Sequence, residues 1–453
     1  MQKRGFLTKA NESIFGRLVV FTALRRAGGV IGFTVFLGFA AFAAPTDLSP
    51  ATTAANPLQL LSPAQHTYLY EKTYVERDKV SSSSVSFTGG SPVTLAWKGT
   101  SGICTVSVKR LSDGKVIWTG TTSGTSASVV NLEIGAGYEW MVTDASKNSA
   151  SATFYTSPEP PRLIKTGDMV VMRDLGGWTG KLGGKSYTVR QNQLFRGGPA
   201  KNVDDAAKEF FRDIAGLRTE LDFRGASSDR LDVTGVTYVP LSRDSSYRVK
   251  KEDMDKKDGG YWPNLIETFK VIFDAAKRPA YFHCSLGKDR TGITACLALG
   301  LLGVSEADIW RDWQATAVGA NVISDGTYMA GYIRDMRDYK GKSNLNEAIE
   351  LYFREDLGFT ADEIETFRKE MLIGYGESKH WTEKPHFVIA TRTTVKEETA
   401  RETQYAGFET KKGLWYAWGR DGEAKTPWEE SDGTPLELAK PNEEDGWKLL
   451  VRE

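Results

Sequence analysis

The stretch Ala280-Tyr281-Phe282-His283-Cys284-Ser285-Leu286-Gly287-Lys288-Asp289-Arg290-Thr291-Gly292 decides how this chain is read. Its first four residues form a short apolar run after the helix-stopping Pro279 and read as a buried strand. Cys284 follows, and five residues intervene before Arg290. The almost wholly apolar run from Ile293 to Leu302 then reads as a core helix. A backbone that passes from strand to helix so quickly must curl, and Gly287 permits the curl. The curl turns the amides of residues 285–290 inward, and the helix N-terminus adds the positive end of its dipole. The result is a cradle for a dianion. The same field favours the Cys284 thiolate; comparable settings lower a cysteine pKa from about 8.5 to about 3.5–7.5. Arg290 offers a planar two-point clamp for phosphoryl oxygens. Ser285, Leu286, Gly287 and Lys288 line the cradle, and Thr291 can donate its hydroxyl to the sulfur and ease its departure.

The pattern implies phosphomonoester hydrolysis through a cysteinyl-phosphate intermediate, with no metal or organic cofactor. Two other loops are excluded. A rhodanese-like sulfurtransferase loop is one residue shorter. A Walker loop needs Gly at 282 and Ser or Thr at 289, where this chain has Phe282 and Asp289. The alternative is an exported binding or adhesion protein carrying an inactive, phosphate-binding pseudophosphatase domain.

Working outward, the loop's C-x5-R form resembles the protein tyrosine phosphatase superfamily. The string H-C-x-x-G-K-D-R-T-G resembles, more narrowly, a bacterial family of tyrosine phosphatases. Met172-Arg173-Asp174-Leu175-Gly176-Gly177 is similar to that family's N-F-R-D-L-G-G motif, with Met for Phe. Leu194-Phe195-Arg196-Gly197 is similar to its L-Y-R-S element, with Gly for Ser. Leu221-Asp222-Phe223-Arg224, followed by Asp229-Arg230, is similar to D-L-R-x-x-x-E-R, with Asp for Glu and one extra residue. Leu302-Gly303-Val304 and Asp312-Trp313 fit its helical part.

The resemblance implies a cysteine-phosphatase α/β fold. It implies a substrate among phosphotyrosine or phosphoserine proteins, phosphoinositides and inositol phosphates. Lys288 in the loop goes with highly charged substrates in such phosphatases; a solvated rim charge is the other reading. The general acid is open. The W-P-D triplet of better-known members is absent, because Trp262-Pro263 is followed by Asn264. Candidates are Asp289, which the resemblance favours, then Asp244, then Asp253, Asp255 and Asp258. Arg173 and Asp174 read as a structural ion pair, and His283 as a residue that orients the loop.

Along the chain, strands alternate with amphipathic helices from 161 to 377 and predict a parallel central sheet flanked by helices. Strand candidates are Arg218 to Phe223 and Thr237 to Leu241. A helix is predicted from Asn264 to Ala276 on the recurrence of Leu265, Ile266, Phe269, Ile272, Phe273 and Ala276. Residues 45–160 hold an all-β domain, from about 62 to 156, and a linker. Runs such as Val93-Thr-Leu-Ala-Trp97, Cys104-Thr-Val-Ser-Val-Lys109, Lys115-Val-Ile-Trp118 and Tyr138-Glu-Trp-Met-Val142 alternate in period 2. Their pattern resembles a fibronectin-III or immunoglobulin-like sandwich, with Trp97, Tyr138 and Trp140 in its core. It is read as a spacer, or as a docking module for a surface or glycan partner, followed by Pro158-Glu-Pro-Pro161 as a stiff linker. Residues 378–453 are a Trp-rich extension of short hairpins or irregular chain. Its tryptophans read as packing residues, a glycan-binding surface being the second reading.

Composition bounds the partners. The chain has 453 residues, 26% charged and 40% hydrophobic, with zero formal net charge. Residues 1–44 hold six basic residues and one acidic one, so the rest is mildly acidic. That argues against nucleic acid as a main partner. Lys3, Arg4, Lys9, Arg17, Arg25 and Arg26 precede an apolar run from Ala27 to Ala44 that ends in Ala41-Phe42-Ala43. This is the order of a signal peptide cleaved near Ala43, an uncleaved membrane anchor being the other reading, and it predicts export to a periplasm, surface or medium. Three cysteines, Cys104, Cys284 and Cys296, are too few for a disulfide scaffold and lack zinc spacing. Cys104 and Cys296 read as core residues.

Overall fold

The computed structural model describes residues 44–376, apart from 80–84, 101, 168, 170, 201–202, 242–260 and 320–326. Beyond them it describes only the backbone of short strands at 19–20, 36–37, 387–396, 399–410, 413–417 and 447–451. Most of the leader, and the acid candidates Asp244, Asp253, Asp255 and Asp258, lie outside the described residues.

The loop strand Ala280–His283 is buried at every residue and lies inside a six-stranded sheet. The order across the sheet is Arg162–Leu163, Arg173–Asp174, Leu194–Gly197, Ala280–His283, Thr219–Asp222, Thr237–Pro240. The last four strands run parallel. The first two add on antiparallel, so the sheet is mixed rather than parallel throughout. In register, Gly197 and Asp222 both face His283, and Pro240 faces Asp222. The C-terminal ends of the parallel strands therefore line up beside the loop, the usual place for a site in such a sheet.

The loop helix Arg290–Leu301 is buried from Thr291 to Leu301, as its apolar run requires. The helix Tyr261–Phe273 starts and stops three residues before its predicted bounds. Its end has a local cause. Asp274 accepts a hydrogen bond from the Ala276 amide at 2.8 Å, and this turn replaces the next helical turn.

In the β domain, Thr46–Ser49, Val93–Lys98 and Ser126–Val129 form one antiparallel sheet. Val116–Thr122, Cys104–Arg110, Gly137–Thr143 and Ser149–Tyr155 form a second. Alternate residues of both turn inward, and Val93, Leu95, Trp97, Cys104, Val106, Val108, Tyr138, Trp140 and Val142 share one core.

Residues 63–78 differ from the all-β reading and are helical. Two capping boxes explain this. The Ser62 hydroxyl accepts from the Gln65 amide while the Gln65 side chain accepts from the Ser62 amide, and Thr73 and Glu76 repeat the arrangement. This helical strap lies on the helix Glu306–Gly319. Tyr68 Oη donates to the Gln314 carbonyl at 3.2 Å, Arg77 Nε to Gln314 Oε1 at 2.5 Å, and Arg311 Nε to the Leu69 carbonyl at 3.2 Å. Leu61, Tyr68, Leu69 and Phe87 bury themselves with Leu163, Val171 and Ala315.

The β domain is also fixed in place. Buried Arg162 donates to the carbonyls of Asn131 and Leu132, at 2.7 and 3.0 Å. The Gln191 amide exchanges two hydrogen bonds with the Ile134 backbone. We therefore expect a fragment of residues 162–376 to unfold more easily than the longer chain. Uncovering Leu163 and Val171 alone costs on the order of 3 kcal/mol. Urea unfolding of both proteins checks this, and equal stability would show that strap and β domain are dispensable.

The segment from Gly376 to Glu453 is a separate unit. Its four described strands form an antiparallel sheet in chain order. Trp415 and Trp447 lie on these strands; Trp381, Trp418 and Trp428 lie outside the described residues.

Candidate active site

The loop begins where the central strand ends. Cys284 is only 4% exposed, while Ser285 and Leu286 are exposed and Asp289 and Arg290 partly so. The thiol is thus buried within the loop, while Ser285, Leu286, Asp289 and Arg290 reach its rim. Gly287 has φ +67°, and a Cβ there would lie 2.4 Å from the Gly197 carbonyl oxygen. Only glycine satisfies both the curl and this close approach.

Arg290 donates from Nη1 to the Phe223 carbonyl and from Nη2 to Ser285 Oγ at 3.5 Å. It bridges the loop to the end of the adjoining strand and keeps further N–H donors of its five for an oxyanion. That strand end is itself braced. Arg224 forks onto Asp222 at 2.9 and 2.8 Å, and Tyr238 Oη donates to Asp222 at 2.9 Å. His283 is buried, with Nε2 2.9 Å from Glu220 Oε1, and its carbonyl accepts from the Phe223 amide at 2.9 Å. It holds the two strand ends together.

Lys288 departs from the solvated-rim reading. It is 8% exposed, and its Nζ lies 5.4 Å from the centre of the Trp313 ring. Trp313 in turn closes over Gly292, where a Cβ would meet its ring at 2.7 Å. The Thr291 hydroxyl is buried without a hydrogen-bond partner among the described residues, so its expected bond to the sulfur is not formed here. The Asp289 carboxylate makes no hydrogen bond to a described residue, either as a helix cap or as a buttress. Cys296 lies in the helix core, and burial pushes its thiol up to about 12, far from nucleophilic use at neutral pH.

Arg173 and Asp174 do not pair with each other. Neighbours on a strand point to opposite faces. Arg173 pairs with Asp312 at 2.7 Å on one side. Asp174 pairs with Arg162 at 3.0 Å on the other and accepts the Gly176 and Asn192 amides at 2.7 Å. Arg196 was visible in the sequence only as part of a motif; its place against the loop was not. It is fully buried, donates to the Gly287 carbonyl at 2.6 Å and pairs with Asp312.

A buried thiol, a curled loop with a left-handed glycine and an arginine opening a buried helix are a geometry suited to holding an oxyanion. Residues 166–373 match the model of the tyrosine phosphatase family. A Cupriavidus necator protein provisionally named a tyrosine-protein phosphatase is 31% identical over 162 residues, covering 31% of this chain. The match spans 58% of that relative's length. Among solved structures, the core catalytic domain of the PP-IP phosphatase SIW14 from S. cerevisiae, in complex with citrate, is 14% identical with a TM-score of 0.22. It covers 37% of this chain and 88% of that one. A Cys-to-Ser variant of P. aeruginosa TpbA in complex with pTyr is 15% identical with a TM-score of 0.24, covering 39% of this chain and 96% of that one.

Proposed function

We propose that this chain is an exported cysteine-dependent phosphatase that hydrolyses phosphomonoesters. One observation carries the reading: Cys284 lies buried at the C-terminal end of the central parallel strand, and Arg290 opens the helix that follows. The match of residues 166–373 to a tyrosine phosphatase family agrees with it. The leader and apolar run up to Ala44 support export.

In the proposed cycle the Cys284 thiolate attacks phosphorus in line. The S–P bond forms as the P–O bond to the leaving group breaks. Arg290 and the loop amides hold the equatorial oxygens. Asp289, as the acid, protonates the leaving oxygen. The resulting carboxylate then takes a proton from water, water oxygen attacks phosphorus, and the S–P bond breaks. Orthophosphate leaves and the thiolate is restored. The test is vanadate-sensitive hydrolysis of an aryl phosphate by the purified chain. Binding of phosphate esters with no turnover would favour a pseudophosphatase.

The substrates in view are phosphotyrosine or phosphoserine proteins, phosphoinositides and inositol phosphates. Lys288 tests one division among them. With its ammonium held on Trp313, it acts through the field of the loop rather than by touching a second phosphate. Lys288→Ala is therefore expected to lower kcat/KM by a similar factor, about tenfold, on a phosphotyrosine peptide and on a multiply phosphorylated inositol. A loss confined to the inositol substrate would show that the ammonium turns outward to read extra phosphate.

A further inference from the structure

Beneath the loop, on the side away from its rim, lies a closed group of charges. Arg173, Arg196 and Asp312 are each at most 1% exposed, and Thr316 beside them is fully buried. Asp312 pairs with both guanidiniums: Oδ1 with Arg173 Nε at 2.7 Å, and Oδ2 with Arg196 Nη1. Thr316 Oγ1 accepts from Arg173 at 2.6 Å and from Arg196 at 3.2 Å. Arg173 also donates to the Asp312 carbonyl at 2.5 Å and to the Val171 carbonyl at 3.2 Å. Arg196 Nε is buried without a hydrogen-bond partner among the described residues.

These groups have definite charges. Burial alone would raise the Asp312 carboxyl, but the two guanidiniums outweigh it and hold the carboxyl below its ordinary range. Burial, then repulsion from Arg173, lowers Arg196 to about 10, which leaves it charged at neutral pH. Two cations thus share one carboxylate, and the cluster keeps one unmatched positive charge. An unmatched buried charge is costly unless an opposite charge lies near. Arg196 contacts the loop three residues after Cys284, and a thiolate at Cys284 is the opposite charge that the loop can supply. The Gly287 carbonyl, 2.6 Å from Arg196, ties the same group to the loop backbone.

We propose that Arg196 is a positioning residue of the loop, and that the surplus charge of the Arg173–Asp312–Arg196 cluster holds Cys284 as its thiolate. The role in turnover rests on the phosphatase reading; the effect on the thiol does not. Among the described residues, the other charged or titratable groups of the loop and the strands beside it are Lys288, Asp289 and Arg290 in the loop, Tyr281 and His283 on its strand, and Glu220, Asp222 and Arg224 on or after the adjoining strand. All are kept in the variants below.

The experiment follows the pH dependence of Cys284 alkylation by iodoacetamide in the full chain, assigned by peptide mass spectrometry. Arg196→Gln neutralises the cluster and leaves Asp312 paired with Arg173, so the alkylation midpoint should rise by about one pH unit. Asp312→Asn increases the surplus and should lower it. The double variant restores the original balance and should return the midpoint toward wild type. Arg196→Lys keeps the charge and should leave the midpoint in place. Without the planar fork that reaches Asp312, Thr316 and Gly287 together, it should bind vanadate about tenfold more weakly.

Opposite shifts for Arg196→Gln and Asp312→Asn support the charge assignment. Shifts of the same sign, or none in folded proteins, overturn it. If Arg196→Gln does not fold, Asp312→Asn and Arg196→Lys decide by the same signs. Unchanged vanadate affinity in Arg196→Lys would overturn the anchoring of the loop. A wild-type chain that shows these shifts but hydrolyses no phosphate ester would sink the phosphatase reading and leave the cluster's effect on the thiol standing.

Discussion

Cys284→Ser is expected to lose at least about 10³-fold in kcat on any phosphomonoester, on the scale of nucleophile losses in other covalent hydrolases. A serine hydroxyl is a weak nucleophile unless a base removes its proton. His283 is the neighbouring imidazole, and its Nε2 is committed to Glu220 at 2.9 Å. Asp289 is assigned to the leaving group. Binding should survive, because Arg290, the loop amides and the buried Arg196 cluster are untouched. The change from sulfur to oxygen is small, and the site is already closed around Gly287 and Gly197. The measurement pairs kcat on an aryl phosphate with calorimetric binding of the same ester. Retention of a tenth of the wild-type rate would rule out the covalent route. Loss of binding together with rate would mean that the variant loop has collapsed.

The loop was legible because its information is local. A buried strand, a cysteine, a glycine and an arginine at the head of an apolar helix fall within a dozen residues, and each has a backbone reason to be there. The same holds for the β domain, whose period-2 runs put Trp97 and Trp140 into one core. The strap at 63–78 was equally local, since Ser62 with Gln65 and Thr73 with Glu76 are capping-box spacings, but it was read as part of the β domain. The partners of charged residues were not legible. Arg173 and Asp174 are adjacent in sequence and read as a pair, yet the strand sends them to opposite faces, to Asp312 and Arg162. Lys288 looks like a surface charge until the helix Glu306–Gly319 brings Trp313 against it. Arg196 and Asp312 are 116 residues apart, and only the fold states that they share a salt bridge beneath the loop.

Asp289→Asn is expected to slow hydrolysis of an alkyl phosphate by about 10²–10⁴-fold, the usual scale for a lost general acid. The effect on an activated aryl phosphate should be far smaller, because that leaving group departs without a proton. We propose the acid role for Asp289 rather than a structural one. Asp289 stands at the N-cap of the loop helix, yet its carboxylate caps nothing and accepts no hydrogen bond from a described residue. It is partly exposed, five residues after Cys284. A carboxylate committed to the backbone would be a poor proton donor; this one is free to protonate a leaving oxygen and then take a proton from water. If both substrates slow equally, Asp289 is structural, and the same pair of substrates should next be applied to Asp244→Asn.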